Sequence, residues 1–138
     1  MSSNTEAGHT KANGNATLAI ASLAAMATYL DSSVLFVAFP DITNSFSNAT
    51  TATLSWVLNA YTITFAALLV PAGKLGDRLG PRRALYVGSA IFTLASMVCG
   101  LAGSIELLIF ARVLQGVGAA VLVPSSLALV LAAFPREK

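Results

Sequence analysis

Long stretches without any charged side chain alternate along the chain with short polar segments. The uncharged stretches are 12–30, 42–73, 84–105 and 113–135. A helix needs about 20 mainly apolar residues to cross a bilayer. Each stretch, together with the apolar residues that flank it, is therefore long enough to predict one membrane-spanning helix. The four predicted helices are 18–40, 54–72, 84–102 and 107–130.

The composition agrees with a membrane protein and excludes several other classes. Hydrophobic residues make up 56% of the 138 residues and charged residues 10%, whereas an average soluble domain has about 25% charged residues. The mean hydropathy is +0.76. A net charge of +2 is too small for binding to nucleic-acid phosphates. We therefore expect an all-α integral membrane protein that lies in a lipid bilayer and has no nucleic-acid partner.

The chain contains little that could support enzyme chemistry. Cys99 is its single cysteine and His9 its single histidine, which excludes an intrachain disulfide and a site with several Cys or His metal ligands. We expect no enzyme activity, no metal and no cofactor. The simplest role for Cys99 is to fill space in a helix.

Lys and Arg residues are distributed unevenly among the segments that connect the predicted helices. Four of them lie in 73–83, and Lys11, Arg136 and Lys138 lie in the two tails, whereas the other two connections hold none. Because Lys and Arg are enriched in cytoplasmic loops, this distribution predicts that both termini and the segment 73–83 are cytoplasmic. Residues 1–17 are then a polar cytoplasmic tail, and the protein lies in the plasma membrane.

Two charged side chains, Asp31 and Arg112, lie inside predicted helices. From the rise per residue, Asp31 is about 20 Å from the cytoplasmic end of its helix and Arg112 about 7–10 Å from the outer end of its own, in a core about 30 Å thick. The two opposite charges are therefore at matching depth. Burying either one alone costs at least about 2.5–3.5 kcal/mol. We expect them to pair, either at a functional cavity or as a structural ion pair that fixes helix register.

The segment that follows Arg112 is unusual for a membrane anchor. Gln115 lies three residues after Arg112 and therefore shares its helix face. Small residues let another helix approach closely, and a proline can bend the helix. The residues of these two kinds are Gly116, Gly118, Ala120 and Pro124. This composition predicts a helix that lines a cavity.

The segment 73–83 combines glycines with an acidic and several basic side chains. Its candidate functional residues are Gly73, Asp77, Arg78, Gly80, Arg82 and Arg83. Glycines permit a tight turn and a close backbone approach, and the cations around Asp77 predict an ionised, paired carboxylate. A purely topological role in holding the segment inside the cell explains the cations but not Asp77 or the glycines.

These motifs resemble the major facilitator superfamily of secondary transporters. The segment 73–83 is similar to its G-x-L-a-D-r-x-G-r-[KR]-x loop between the second and third helices. The matching residues are Gly73, Leu75, Asp77, Arg78, Gly80, Arg82 and Arg83. The fourth predicted helix is similar to the family's R-x-x-Q-G-x-G pattern. The matching residues there are Arg112, Gln115, Gly116 and Gly118.

The first predicted helix resembles the family's fourteen-span drug:proton antiporter branch, whose pattern is L-D-x-T-I-V-N-V-A-L-P. The matching residues are Leu30, Asp31, Val37, Ala38 and Pro40. Ser33 stands where the pattern has Thr, and Phe36 where it has Asn, so a polar cavity atom is lost at position 36. The resemblance covers residues 18–138.

The resemblance implies a fold of two six-helix halves with a substrate site near the middle of the membrane. Residues 18–138 would be the first four helices of the N-terminal half, and the missing C-terminal helices would be their partner. Asp31, Arg112 and Gln115 would then lie at the cavity and couple transport to protons. Asp77 and its basic neighbours would gate alternating access by contacting the other half.

The leading hypothesis is therefore an N-terminal fragment of a proton-coupled exporter of drugs or other small molecules. A second hypothesis is a complete four-helix protein that acts as a dimeric small multidrug exporter, since such proteins have about this length and an acidic residue in the first helix. A third is a membrane scaffold that transports nothing. The second predicts a defined dimer with drug-dependent proton release, and the third predicts no response to substrate or protons.

Overall fold

Four long helices make up the fold. The computed structural model describes the backbone of residues 3–133 and the side chains of residues 15–133. The helices are α1 (Ser3–Ser45), α2 (Thr51–Leu79), α3 (Pro81–Gly100) and α4 (Ile105–Ala133). All four are long and apolar enough to cross a membrane, and the described residues form no strand. The predicted all-α membrane fold is confirmed.

Some sequence predictions concern residues outside this description. The side chains of His9, Lys11, Arg136 and Lys138 lie outside the described residues. The backbone of α1 begins at Ser3, within the segment 1–17 that we predicted as a polar tail. The helices differ from the predicted spans most clearly in α1, which runs from Ser3 to Ser45, and in α2, which continues to Leu79, whereas α3 ends at Gly100, two residues before the predicted end.

Local side-chain chemistry sets several helix ends. The hydroxyl of Thr50 accepts a hydrogen bond of 3.2 Å from the backbone N–H of Thr53, which caps the start of α2. The hydroxyl of Ser104 accepts one of 3.3 Å from the N–H of Leu107 at the start of α4. Gly80 has a φ of +88°, a value that favours glycine, and the proline that follows it begins α3 without needing a hydrogen-bonded N–H.

The predicted turn at 73–83 is much shorter in the structure. Residues 73–79 continue α2, and only Gly80 separates α2 from α3. No proline lies in 73–79, so the charged residues there do not end the helix. Gly73 and Gly76 instead face α4, since a Cβ on Gly76 would lie 3.3 Å from the Oγ of Ser125 and a Cβ on Gly73 would lie 3.8 Å from the Cβ of Pro124.

Helix α4 is the centre of the fold, because it packs against each of the other three helices. Its glycines allow close crossings: a Cβ on Gly116 would lie 2.8 Å from the carbonyl oxygen of Tyr61 in α2, and one on Gly118 would lie 2.7 Å from the backbone nitrogen of Phe92 in α3. Ala120 is fully buried. The structure thus places Gly116 and Gly118 where α4 crosses α2 and α3, and Ala120 at a buried position of the same helix.

Pro124 lies inside α4 and does not end it. A proline cannot donate to the carbonyl four residues earlier, here that of Ala120. The hydroxyls of Ser125 and Ser126 donate to the carbonyls of Val121 and Val123, at 2.7 and 2.8 Å. They therefore bond to other carbonyls of the same turn.

Helix α1 is the least buried of the four. Its contacts are mainly with α4, and many of its large apolar side chains are exposed. These include Leu23, Met26, Val34 and Phe36. The buried side of α1 carries Ala21, Thr28 and, beside them, Asp31, so this helix face turns the acidic side chain toward α4.

Candidate functional site

The two intramembrane charges meet between α1 and α4. Nη1 of Arg112 lies 2.6 Å from Oδ2 of Asp31, which is a short charge-assisted hydrogen bond. The Arg112 side chain is 3% exposed and that of Asp31 is 21% exposed. The carboxylate is therefore the partner that remains open to its surroundings, while the guanidinium is enclosed.

Gln115 joins the ion pair to a third helix. Its Nε2 donates to Oδ1 of Asp31 at 3.0 Å and to the hydroxyl of Ser96 in α3 at 2.7 Å. Its Oε1 accepts from Nη1 of Arg112 at 2.6 Å and from the thiol of Cys99 at 3.3 Å. A carboxamide has two N–H donors and two acceptor lone pairs, so every hydrogen-bonding position of Gln115 is used.

The orientation of the Gln115 carboxamide follows from its neighbours. If oxygen and nitrogen were exchanged, Nε2 would face the N–H of Arg112 and Oε1 would face the carboxylate of Asp31, which places donor against donor and acceptor against acceptor. Only the observed orientation suits an ionised Asp31 beside a cationic Arg112.

An aromatic ring from α2 covers the guanidinium. Cζ of Arg112 lies 4.5 Å from the centre of the Tyr61 ring, within the range of a cation–π interaction. Tyr61 is parallel to Phe65, with ring centres 6.1 Å apart. Nε of Arg112 is buried and has no hydrogen-bond acceptor among the described residues. The hydrogen bonds that the guanidinium makes with described residues are donated by Nη1.

Small residues allow the helices to come this close. Ala21 of α1 and Ala119 of α4 are fully buried in one cluster together with Tyr61, and Ala111 beside Arg112 is also fully buried. The spacing of three residues between Arg112 and Gln115 places both on one face of α4. The site therefore forms where α1, α2 and α3 all pack against the part of α4 that carries Arg112 and Gln115.

Removing Asp31 would leave the buried guanidinium of Arg112 without its ion-pair partner. Breaking a buried ion pair by deleting one partner costs about 3–5 kcal/mol. Arg112 is permanently charged, whereas a carboxylate can take up a proton. Of the two partners, only Asp31 can therefore change its charge by taking up a proton.

The charged residues of 73–83 lie at a separate place. Asp77, Arg78, Arg82 and Arg83 are all exposed. The expected pairing of Asp77 is not found, since the one ion pair among the described residues joins Arg112 and Asp31. Ser125, beside this region, lies 13 residues along α4 from Arg112, a distance of about 20 Å.

A small cleft lies beside Asp77. It has a volume of about 120 Å³ and is lined by Gly73, Gly76, Asp77, Pro81, Pro124, Ser125 and Ala128. Two of the predicted elements, the glycine-rich segment and the proline of α4, are thus brought together. The cleft that they form is separate from the site at Asp31.

Three residues of the site were not predicted as such from the sequence. The spacing of Trp56 and Tyr61 resembles the same antiporter branch but gave Tyr61 no role at the site. For Ser96 and Cys99 the available signal was their spacing of three, which puts them on one face of α3. Cys99, expected to fill space, also donates a hydrogen bond to Gln115.

Comparison with known proteins places these features in a family. The family model described as Major Facilitator Superfamily matches residues 21–138. An uncharacterized MFS-type transporter, EfpA, from Mycobacterium tuberculosis is 43% identical over 121 residues, which are 88% of this chain and 22% of that protein. The multidrug efflux pump LfrA of Mycolicibacterium smegmatis is 43% identical over 113 residues, 82% of this chain and 22% of the pump.

A third relative is the methylenomycin A resistance protein of Streptomyces coelicolor, with 43% identity over 113 residues. The match covers 82% of this chain and 23% of that protein. The chain thus spans less than a quarter of the length of each of these three relatives.

Proposed function

Because the chain belongs to the major facilitator superfamily, we propose that it supplies the first four helices of a proton-coupled exporter of drugs or other small molecules. The observation that carries this proposal is the 2.6 Å contact between Arg112 and Asp31 within the membrane-spanning helices. Proton coupling needs a group that can bind and release a proton, and a carboxylate within the membrane, paired with a cation, is such a group. The family match favours this hypothesis over a four-helix dimer or a scaffold.

Asp31 is the proposed proton carrier. In its ionised form it accepts hydrogen bonds from Arg112 and Gln115 and so connects α1 to α4. Protonation removes the negative charge and weakens both contacts, which frees α1 to move relative to α4. Since α1 has few contacts with α2 and α3, this one equilibrium can control its position.

The exposed residues of 73–83 form the proposed gate, with Asp77, Arg78, Gly80, Arg82 and Arg83 as its members. Their charged side chains are exposed and available to helices of the remaining transporter. Gly80 fixes the sharp connection between α2 and α3. Contacts of this gate with the second half would form and break during alternating access.

Orientation, location and domain limits belong to the same proposal. The four Lys and Arg residues of 73–83, against none in the connections at 46–50 and 101–104, support a cytoplasmic position for the gate. Both termini would then be cytoplasmic in a plasma-membrane protein, with a tail at 1–17 and the partial transporter domain at 18–138. The remaining helices, a small-molecule substrate and protons are the proposed partners.

The test of the proposal is the Asp31→Asn variant of the complete transporter in proteoliposomes. Asparagine keeps an acceptor for Arg112 but cannot exchange a proton at physiological pH. We expect export of a lipophilic cationic dye to lose its dependence on the proton gradient, while dye binding persists. Asp41→Asn, at an exposed position of the same helix, is the matched control and should couple normally. Proton-driven export by Asp31→Asn would exclude Asp31 as the proton carrier.

A further inference from the structure

Helix α3 takes part in the site through a neutral side chain. The hydroxyl of Ser96 lies 2.7 Å from Nε2 of Gln115, and that same nitrogen donates to Asp31 at 3.0 Å. Ser96 therefore holds the donor that faces the carboxylate, although Ser96 itself does not touch Asp31 in the described network. The motifs that pointed to Asp31, Arg112 and Gln115 do not include this residue.

From this geometry we infer that Ser96 is a positioning residue that sets the protonation equilibrium of Asp31 by orienting the Gln115 carboxamide. This inference rests on the proposed role of Asp31 as the proton carrier. Gln115 is 1% exposed, so no solvent can replace an acceptor that its amide loses. With Ser96 present, one N–H of Gln115 is anchored on α3 and the other points at Oδ1 of Asp31.

The direction of the effect follows from the donors around the carboxylate. A hydrogen bond to the charged form of a carboxyl group favours that form. Removing the Ser96 hydroxyl leaves one buried N–H of Gln115 without an acceptor, and the amide must rotate to find another. Rotation away from Oδ1 weakens a contact that stabilises ionised Asp31, so protonation should occur at higher pH.

Other titratable groups face Asp31, and none of them contacts the Ser96 hydroxyl in the described hydrogen bonds. They are Arg112 from α4, Tyr61 from α2 and Cys99 from α3, and Tyr29 lies on α1 itself. None of them depends on the Ser96 hydroxyl for its position in the described contacts. A change in the titration of Asp31 on removal of that hydroxyl would therefore act through Gln115.

The experiment measures the protonation of Asp31 directly. A hydrophobic carbodiimide, dicyclohexylcarbodiimide, modifies carboxyl groups in their protonated form, and mass spectrometry of the peptide that contains Asp31 reports the extent of reaction at each pH. The protein is reconstituted in lipid vesicles, and the midpoint of the labelling curve is compared between variants. In Ser96→Ala we expect this midpoint to rise by about 0.5 pH unit, the effect of losing part of one hydrogen bond.

Two further variants separate positioning from packing. Ser96→Thr keeps the hydroxyl and should restore the wild-type midpoint. Thr93→Ala removes a hydroxyl from the same helix at an exposed position that takes no part in the hydrogen bonds of Gln115, and its midpoint should equal that of the wild type. An unchanged midpoint in Ser96→Ala, or an equal shift in Ser96→Thr and Ser96→Ala, would overturn the inference.

Proton-coupled export, measured on the same variants in the complete transporter, tests the proposed function separately from the positioning role of Ser96. We expect the pH optimum of export to shift in parallel with the labelling midpoint in Ser96→Ala. If the labelling midpoint shifts but wild-type export does not depend on protons, the proposed function fails and the positioning role of Ser96 stands. If export is proton-coupled and the midpoint does not shift, the positioning role fails alone.

Discussion

Arg112 makes an ion pair, a hydrogen bond to Gln115 and a cation–π contact. One nitrogen, Nη1, bonds to both Asp31 and Gln115 at 2.6 Å, while Cζ of the guanidinium lies over the Tyr61 ring, 4.5 Å from its centre. A planar, permanently charged group suits this combination, because it can direct hydrogen bonds in its plane and stack with its face. The site therefore uses the shape of the guanidinium as well as its charge.

The Arg112→Lys variant tests the importance of this shape. Lysine keeps a positive charge, but its ammonium cannot stack flat on Tyr61 and deprotonates more readily when buried. We expect proton-coupled export in proteoliposomes to fall at least about tenfold, as expected for the loss of one charge-assisted hydrogen bond. Circular dichroism and size-exclusion chromatography should show a folded protein. Export equal to that of the wild type would mean that a positive charge at this depth is sufficient.

The charged residues of the site were predictable, and its neutral residues were not. Asp31 and Arg112 are the charges inside otherwise apolar spans, and the rise per residue placed them at one depth. Gln115 followed from its spacing to Arg112. Ser96 and Tyr61 lie at the site because α3 and α2 each turn one particular face toward α4. An apolar helix with few polar residues contains little information about which face it turns toward its neighbour.

At the scale of the helices, glycines of α4 decide how closely its neighbours approach. A Cβ at Gly118 would meet the backbone nitrogen and Cα of Phe92 at 2.7 and 2.9 Å. Backbone atoms cannot rotate away as a flexible side chain can, so α3 would have to move. Because Gln115 is less than one turn from Gly118 and reaches Ser96 on α3, this movement would also disturb the site.

The Gly118→Ala variant should therefore destabilise the fold. We expect a loss of about 1–3 kcal/mol, which is typical of inserting a methyl group into a well-packed interface, measured as a lower unfolding midpoint in detergent. Gly100→Ala is the matched control, because a Cβ there has no neighbour within 4 Å and alanine favours a helix over glycine. Equal unfolding midpoints for Gly118→Ala and the wild type would show that α3 can shift without cost.

Helix existence could be predicted, whereas helix ends could not. The hydropathy pattern predicted the number of helices, because each uncharged stretch, together with the apolar residues that flank it, is long enough to cross the membrane. Charges at 74–78 mark where the chain leaves the apolar core, but α2 continues beyond them to Leu79. A helix can extend into water, so the membrane boundary and the helix end are different positions.

For the whole molecule, the contacts divide the helices into two groups. Helices α2 and α3 pack on α4 through glycine crossings with backbone-to-backbone approach. Helix α1 has fewer contacts with α4, and they include the ion pair and the hydrogen bond from Gln115. This difference agrees with the proposed movement of α1 against a unit of α2, α3 and α4 on protonation of Asp31.

The gate at the other end of α4 provides the last prediction, at the scale of the complete transporter. Asp77 is exposed and has no ion-pair partner among the described residues, so its replacement should cost these four helices little stability. If Asp77 contacts the second half during alternating access, its charge matters there instead. We expect Asp77→Asn to reduce export at least about tenfold, the effect of about 1.4 kcal/mol on one step of the cycle.

Expression level and unfolding midpoint should remain at their wild-type values in Asp77→Asn, because the affected contact lies outside the four helices. Glu106→Gln is the matched control, since Glu106 is also an exposed acidic residue, at the first turn of α4, and its neutralisation should leave export unchanged. Normal export by Asp77→Asn would reduce 73–83 to a segment that orients the chain in the membrane. Loss of export together with loss of expression would instead place Asp77 among the residues that stabilise the fold.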